Sequence, residues 1–178
     1  MFNTPPAKSE YVTRKQFIDR KLTDAGWSVV EFDSSKALAE FDRCAIEEYP
    51  TANGPADYAL CVSGQILGVV EGKKLSVGPQ EVLRQAERYS KGVITGLFDF
   101  RGYHVPFLYS TNGEIIRFLD IRHDLSISRE LPRFHTPDAL SEFLCRDLDG
   151  SLATLAILPN DHPRISISFR RMNCMQIQ

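Results

Sequence analysis

The sequence has few cysteines, and their spacing matches none of the common zinc sites. Its four cysteines stand at positions Cys44, Cys61, Cys145 and Cys174. They form no Cys-x-x-Cys pair and make no cluster with histidine at zinc-ligand spacing, which excludes the usual structural zinc modules. Cys61 lies within an apolar run, where a buried thiol is typical. This cysteine usage fits a reducing compartment and predicts a cytoplasmic protein.

A secretory signal and long hydrophobic runs are also missing. Residues 1–6 contain no basic region followed by an apolar stretch. No run approaches the roughly 20 apolar residues of a membrane-spanning helix, so no membrane partner is expected. The phosphate-binding loop pattern of nucleotide-driven motors is absent as well, which predicts that these residues contain no ATP motor.

The chain has no excess of positive charge. Its 21 Lys and Arg residues oppose 23 Asp and Glu residues, which gives a formal net charge of −2. The overall charge therefore does not indicate nucleic-acid binding, although a local basic surface is sufficient for phosphate contacts. The length of 178 residues and a composition of 43% hydrophobic and 25% charged residues fit one soluble globular domain with a core of its own.

The most informative feature that is present is a predicted hairpin carrying two carboxylates and a lysine. Two runs rich in β-branched and aliphatic residues flank a Ser63-Gly64 turn. Asp57 lies near the start of the first strand, and Glu71 and Lys73 lie near the end of the second. Since side chains alternate along a strand, Glu71 and Lys73 share a face. The hairpin would bring all three groups together.

Such a group suits a divalent metal ion that activates water against a phosphodiester. Mg²⁺ binds carboxylate oxygens and retains several waters, and Mn²⁺ is an expected substitute. Asp57 and Glu71 would bind the metal. Lys73 would position or help deprotonate the water, or stabilise charge on the scissile phosphate. The alternative is a half-buried strand whose charged end is simply solvated.

A second group of residues lies on a helix predicted from Pro79 to about Lys91. Gln85 and Tyr89 are four positions apart and share a helix face, so both can hydrogen-bond a phosphate or stack on a sugar or base. Arg88 belongs to a basic side of this helix that could face DNA. The alternative is that Tyr89 packs at the core edge while the other two side chains are solvated.

Glu10 is a further acidic candidate, on a helix predicted from Ser9 to Ala25. Its functional interpretation is an additional carboxylate at the metal site. The alternative is a surface ion pair with Arg14, one helical turn away, which contributes about 0.3–0.5 kcal/mol.

Other elements are predicted as strands at 27–32, 43–49, 104–109 and 114–120, short helices at 34–42 and 136–148, and a turn at 111–113.

Together these motifs resemble the N-terminal nuclease domain of the type I restriction enzyme R (restriction) subunit, in order and spacing, over residues 9 to about 145. The matching segments are Ser9-Glu10, Thr13-Arg14, Ala25-Gly26-Trp27, Ala56-Asp57-Tyr58, Val69-Val70-Glu71-Gly72-Lys73-Lys74, Gln85-Ala86-Glu87-Arg88-Tyr89 and Tyr109-Ser110-Thr111-Asn112-Gly113-Glu114. The resemblance implies an α/β fold with a restriction-endonuclease-like core of the PD-(D/E)xK type, in which helices flank a mixed central β-sheet. Asp57, Glu71 and Lys73 would then fall on its catalytic motif. Gln85 and Tyr89 would fall on a Gln-x-x-x-Tyr element similar to that of RecB-type nucleases.

The resemblance also implies a Mg²⁺-dependent DNA endonuclease domain at residues 1–150, followed by a C-terminal extension or linker at 151–178. In this family a helicase-type ATPase motor follows, so the chain is expected to be truncated before it and to depend on ATP only through it. The expected partners are DNA and the methyltransferase and specificity subunits. Two alternatives stay open: a DNA- or subunit-binding module that does not cleave, and a stand-alone RecB-like nuclease.

Overall fold

The computed structural model describes residues 17–72, 79–94, 98–122 and 126–146. The described residues up to Pro137 form one compact unit, and those from Asp138 form another. Within these ranges no helix is long and apolar enough to cross a membrane.

A mixed β-sheet forms the centre of the first unit and confirms the predicted α/β fold. Its seven described strands are adjacent in chain order. The pairs β1–β2 and β4–β5 are parallel, and the other neighbours are antiparallel. The strands are β1 (Ser28–Glu31), β2 (Cys44–Tyr49), β3 (Ala56–Val62), β4 (Gln65–Gly72), β5 (Phe107–Thr111), β6 (Ile116–Asp120) and β7 (Arg129–Leu131).

The described helices agree with their predictions to different degrees. The first predicted helix is described only from residue 17 and gives α1 (Asp19–Asp24). The helix predicted at 34–42 is reduced to a 3₁₀ turn at Leu38–Glu40. Helix α2 (Pro79–Gly92) agrees closely with its prediction, and α3 (Pro137–Leu144) lies almost entirely in the second unit.

The turn between β3 and β4 explains why these strands form a tight hairpin. Ser63 and Gly64 both have left-handed backbones, with φ of +49° and +73°. Two successive left-handed residues are what a type I′ hairpin turn requires. A Cβ atom at Gly64 would lie 2.8 Å from the Cα atom of Ala39. Glycine is therefore needed here for its conformation and for its size.

The ladder of this hairpin contains a β-bulge that the sequence did not predict. Next to the turn, Cys61 faces Ile66. One position further from the turn on β3, Leu60 faces Gly68, which is two positions further from the turn on β4. Leu67 is therefore an additional residue on β4. A bulge of this kind moves the rest of the ladder by one position.

Helix α2 joins the parallel strands β4 and β5 and covers one face of the sheet, which we call the helix face. Apolar residues from both layers form a continuous buried cluster there, which includes Ile46, Ala59, Val69, Ala86 and Leu108. The thiol of Cys61 belongs to this cluster, as predicted. Burial raises the pKa of Cys61 to about 12, and the half-buried Cys44 nearby adds to this.

Aromatic residues fill the opposite face of the sheet. The rings of Tyr109 and Phe118 lie 5.0 Å apart on neighbouring strands. The Tyr109 hydroxyl and His135 Nδ1 are joined by a hydrogen bond of 2.7 Å. Burial, followed by the positive charge of Arg129, lowers the pKa of His135 to about 4. His135 is therefore a neutral, structural histidine at ordinary pH.

Candidate active site

Asp57 and Glu71 lie on neighbouring strands and project from the helix face. Tyr58 faces Val70 in the antiparallel ladder, so the next step sets Asp57 opposite Glu71. Side chains of opposite residues project from the same side of a sheet. The Oδ2 atom of Asp57 accepts a hydrogen bond of 2.7 Å from the N–H group of Gly72. The hairpin thus brings two of the predicted site residues together.

The donor set at this position fits a divalent metal ion. Glu71 is only 2% exposed and Asp57 is half-buried. Like charges directly opposite each other on paired strands repel, and partial burial strengthens the repulsion. A divalent cation between the carboxylates would offset it, and carboxylate oxygen is the ligand that Mg²⁺ and Mn²⁺ prefer.

The remaining metal ligands would have to come from elsewhere. Among the described residues no group of three or more His, Cys, Asp or Glu side chains is placed to hold a metal ion. The described residues therefore offer two carboxylates, a number typical of Mg²⁺ sites that are completed by water and substrate phosphate. Glu10 and Lys73, also predicted for this site, lie outside the described residues.

Further polar residues continue the line of the two carboxylates across the sheet. Glu71 faces Ser110 on β5, Ser110 faces Arg117 on β6, and Arg117 faces Glu130 on β7. All of them project from the helix face, because opposite residues share a face. We call the five residues from Asp57 to Glu130 the polar row. Sequence reasoning missed its last three members, since nothing local in the sequence gives the register between β4 and β5.

Gln85 and Tyr89 lie on α2 and are joined to each other. The Gln85 Nε2 atom donates a hydrogen bond of 2.9 Å to the Tyr89 hydroxyl. Tyr89 is 8% exposed and belongs to the core cluster of the helix face. The tyrosine ring thus packs at the core edge, as the alternative interpretation predicted. The amide and hydroxyl form one polar pair, and their predicted contact with DNA stays a prediction.

Arg88 connects α2 to the loop that leads into Asp57. Its Nη2 atom donates a hydrogen bond of 2.7 Å to the backbone carbonyl of Asn53. In return, Asn53 Nδ2 donates a bond of 2.7 Å to the backbone carbonyl of Arg88. Arg88 therefore supports the approach to the site, and its predicted contact with DNA stays a prediction.

The last turn of α2 approaches the same loop very closely. The backbone N–H of Ala52 donates a hydrogen bond of 2.8 Å to the Gly92 carbonyl. A Cβ atom at Gly92 would lie 2.9 Å from both Thr51 Oγ1 and Asn53 Nδ2. A side chain at position 92 would push the loop from the helix, so the glycine permits this approach.

Comparisons with known proteins agree with this architecture. The family model described as the type I restriction enzyme EcoKI endonuclease subunit second domain matches residues 28–144. The type I restriction enzyme EcoKI endonuclease subunit of Escherichia coli (strain K12) is 27% identical over 175 aligned residues, which cover 71% of this chain and 15% of that protein.

A solved structure is similar as well. It is a fragment of an HsdR subunit of a type I restriction enzyme from Vibrio vulnificus YJ016. It matches with a TM-score of 0.56 and 25% identity, over 83% of this chain and 28% of that chain. In both comparisons the chain spans less than a third of the other protein's length.

Proposed function

The chain belongs to the family of the type I restriction enzyme endonuclease subunit, in the region of its second domain, and from this we propose that it is the Mg²⁺-dependent DNA-cleaving domain of such a subunit. Its α/β fold is restriction-endonuclease-like and is shared with the Vibrio vulnificus HsdR fragment. The single observation that carries the proposal is the meeting of Asp57 and Glu71 on one face of the bulged hairpin.

Asp57 and Glu71 are proposed to hold the metal ion. When bound, the ion lowers the pKa of a coordinated water and neutralises charge on the phosphate that is attacked. The hydrogen bond from Gly72 fixes the carboxylate of Asp57 against the neighbouring strand. Burial of Glu71 keeps bulk water from the second carboxylate, which strengthens its interaction with a cation.

Lys73 is proposed as the catalytic lysine of a PD-(D/E)xK site. It follows Glu71 by two positions in the sequence, the spacing at which strand residues share a face. Its ammonium group would position or help deprotonate the attacking water, or stabilise charge on the scissile phosphate. Glu10 is proposed as a further acidic group at the same metal site.

DNA is the proposed substrate, with Gln85, Arg88 and Tyr89 as its contacts on α2. The amide–hydroxyl pair of Gln85 and Tyr89 offers donors to a phosphate or sugar. Methyltransferase and specificity subunits are proposed to recruit the domain to DNA, and ATP is proposed to act through a motor outside these 178 residues. A module of the same fold that binds DNA or other subunits without cleavage, and a stand-alone RecB-like nuclease, are the alternatives.

Calorimetric titration of the chain with Mn²⁺ tests the proposal. The wild-type chain is expected to bind the ion, and Asp57→Asn is expected to weaken binding at least about tenfold, because it removes a charged ligand. Glu31→Gln is the matched control. It removes an exposed carboxylate at the end of β1 and should leave the affinity unchanged.

The titration is then repeated with a short DNA duplex. Under that condition, equal Mn²⁺ affinity in wild type and Asp57→Asn, or no Mn²⁺ binding by either protein, would contradict the proposal. The duplex supplies the phosphate ligands that such a site takes from its substrate. In the assembled restriction complex, Lys73→Ala should abolish cleavage and retain DNA binding. If cleavage persists in that variant, the role of Lys73 is wrong.

A further inference from the structure

Arg117 is the one basic member of the polar row. It lies on the helix face of β6, separated from Glu71 by the single strand β5. Neighbouring strands are about 4.8 Å apart, so the backbones of Arg117 and Glu71 lie about 10 Å from each other. A substrate that is bound over the two carboxylates would therefore lie within reach of the long Arg117 side chain.

The guanidinium of Arg117 is incompletely satisfied within the described part of the chain. Its Nε atom is buried and has no hydrogen-bond partner there. Its Nη2 atom lies 3.9 Å from Glu130 Oε2, too far for a hydrogen bond and at the outer limit of an ion pair. The Glu130 side chain is 59% exposed, whereas that of Arg117 is 26% exposed, so the pairing is weak and open to solvent.

A buried donor without an acceptor is costly, and native structures usually show a reason for one. An anion that accepts from Nε and a terminal nitrogen would satisfy this group. Phosphate suits the planar fork of a guanidinium, because two oxygens can accept two parallel N–H bonds. The carboxylates at the other end of the polar row are the proposed metal ligands, so the row would combine a cation site with an anion site.

We propose that Arg117 binds a phosphate group of the DNA strand that lies along the polar row, next to the metal-binding pair. The inference rests on the proposed nuclease function and extends it to a residue outside the predicted motifs. Glu130 then acts as a weak internal competitor that the phosphate displaces. Arg117 contacts substrate in this arrangement and takes no part in holding the metal.

The salt dependence of DNA binding tests this contact. Fluorescence anisotropy would follow a short labelled duplex bound to the chain in Ca²⁺, across a series of salt concentrations. Loss of one phosphate contact should reduce the slope of log affinity against log salt by about 0.9. Arg117→Gln should show that reduction and bind about tenfold more weakly at low salt.

The neighbouring strand offers a matched control. Arg129 faces Phe118, so it projects from the opposite face of the sheet and carries the same charge. Arg129→Gln should keep the wild-type slope. Glu130→Gln should bind DNA more tightly, because it removes the competing carboxylate. An unchanged slope in Arg117→Gln, or an equal loss in Arg129→Gln, would overturn the proposal.

A Mn²⁺ titration of Arg117→Gln separates this inference from the function on which it rests. Arg117→Gln should bind Mn²⁺ as the wild type does, because it does not touch the carboxylates. If Mn²⁺ binding depends on Asp57 and the salt slope does not depend on Arg117, only the phosphate contact is wrong. If the wild-type chain binds neither Mn²⁺ nor DNA, both proposals fail.

Thermal unfolding would establish that the variants fold. Should Arg117→Gln fail to fold, Arg117→Lys provides the test. It retains the charge and loses the fork geometry, so it should keep the salt slope and bind several-fold more weakly. Wild-type affinity in Arg117→Lys would contradict a fork-shaped contact.

Discussion

The Oδ2 atom of Asp57 accepts a hydrogen bond from the backbone N–H of Gly72, and this bond ties the first carboxylate of the site to the strand that carries the second. Orientation of Asp57 therefore depends on the hairpin itself and not on a bound ion. Because the acceptor is one oxygen of a planar group, an amide at the same position can accept the same bond.

Two substitutions at position 57 should therefore differ in stability. Asp57→Asn keeps an acceptor for the Gly72 N–H and removes a charge opposite Glu71. Asp57→Ala removes the acceptor and should be less stable than Asp57→Asn by about 1 kcal/mol. Urea unfolding without metal measures the difference. Equal stabilities would show that the bond to Gly72 contributes nothing to the hairpin.

The hydrogen bond between Gln85 and Tyr89 should appear as a coupling energy. Tyr89→Phe and Gln85→Met each remove one partner while keeping a similar shape. A double-mutant cycle measured by urea unfolding should give a coupling of about 0.5–1.5 kcal/mol. Arg84→Met, an exposed neighbour on the same helix, serves as the control and should be additive with Tyr89→Phe.

The reciprocal bonds between Arg88 and Asn53 should hold the loop before β3 in place. Arg88→Ala should lower the free energy of unfolding by about 1 kcal/mol, because one charge-assisted bond is lost and the loop is released. Hydrogen exchange should become faster at residues 51–54 and stay unchanged around the Ser63-Gly64 turn. Arg84→Ala is the control. Unchanged exchange in Arg88→Ala would contradict a supporting role.

His135 should make stability depend on pH in the acid range. Its pKa is about 4 in the folded chain, against an ordinary value of 6.5. The unfolded chain therefore binds the proton more readily between these values, and stability is lost as the pH falls from about 6.5 towards 4. The loss should be about 1–2 kcal/mol, after allowance for the partial exposure of the ring.

Replacing this histidine isolates its contribution. His135→Asn can still accept a bond from the Tyr109 hydroxyl but does not titrate. Its urea midpoints between pH 7 and pH 4 should fall less steeply than those of the wild type. Parallel curves for the two proteins would show that His135 does not carry the acid sensitivity.

Local patterns in the sequence were sufficient for much of this fold. The turn residues Ser63 and Gly64, the apolar runs on either side of them and the Pro79–Gly92 helix are all encoded by neighbours in the chain. Boundaries were less accurate: β5 begins at Phe107 and not at His104. Strand β7 was missed because three residues at a sheet edge carry too little pattern.

The candidate site was predictable only where one hairpin contains it. Asp57 and Glu71 are joined by a tight turn, so their approach is a local event, although their common face depends on the bulge at Leu67, which the sequence did not predict. Ser110, Arg117 and Glu130 reach the same line through pairings between strands that are distant in sequence. Those pairings depend on how α2 packs between β4 and β5, a tertiary relationship that no local spacing encodes.

The extra residue Leu67 has a consequence for how such sites are recognised in sequences. With a two-residue turn and a regular ladder, residues that face each other are always an odd number of positions apart. Asp57 and Glu71 are an even number apart, so without the bulge they would point to opposite faces. In this hairpin, an insertion or deletion of one residue between two positions moves them from opposite faces to the same face, or from the same face to opposite faces. A sequence pattern that fixes only the number of residues between two acidic positions therefore does not show whether they share a face. The length of the turn and the presence of a bulge must also be known.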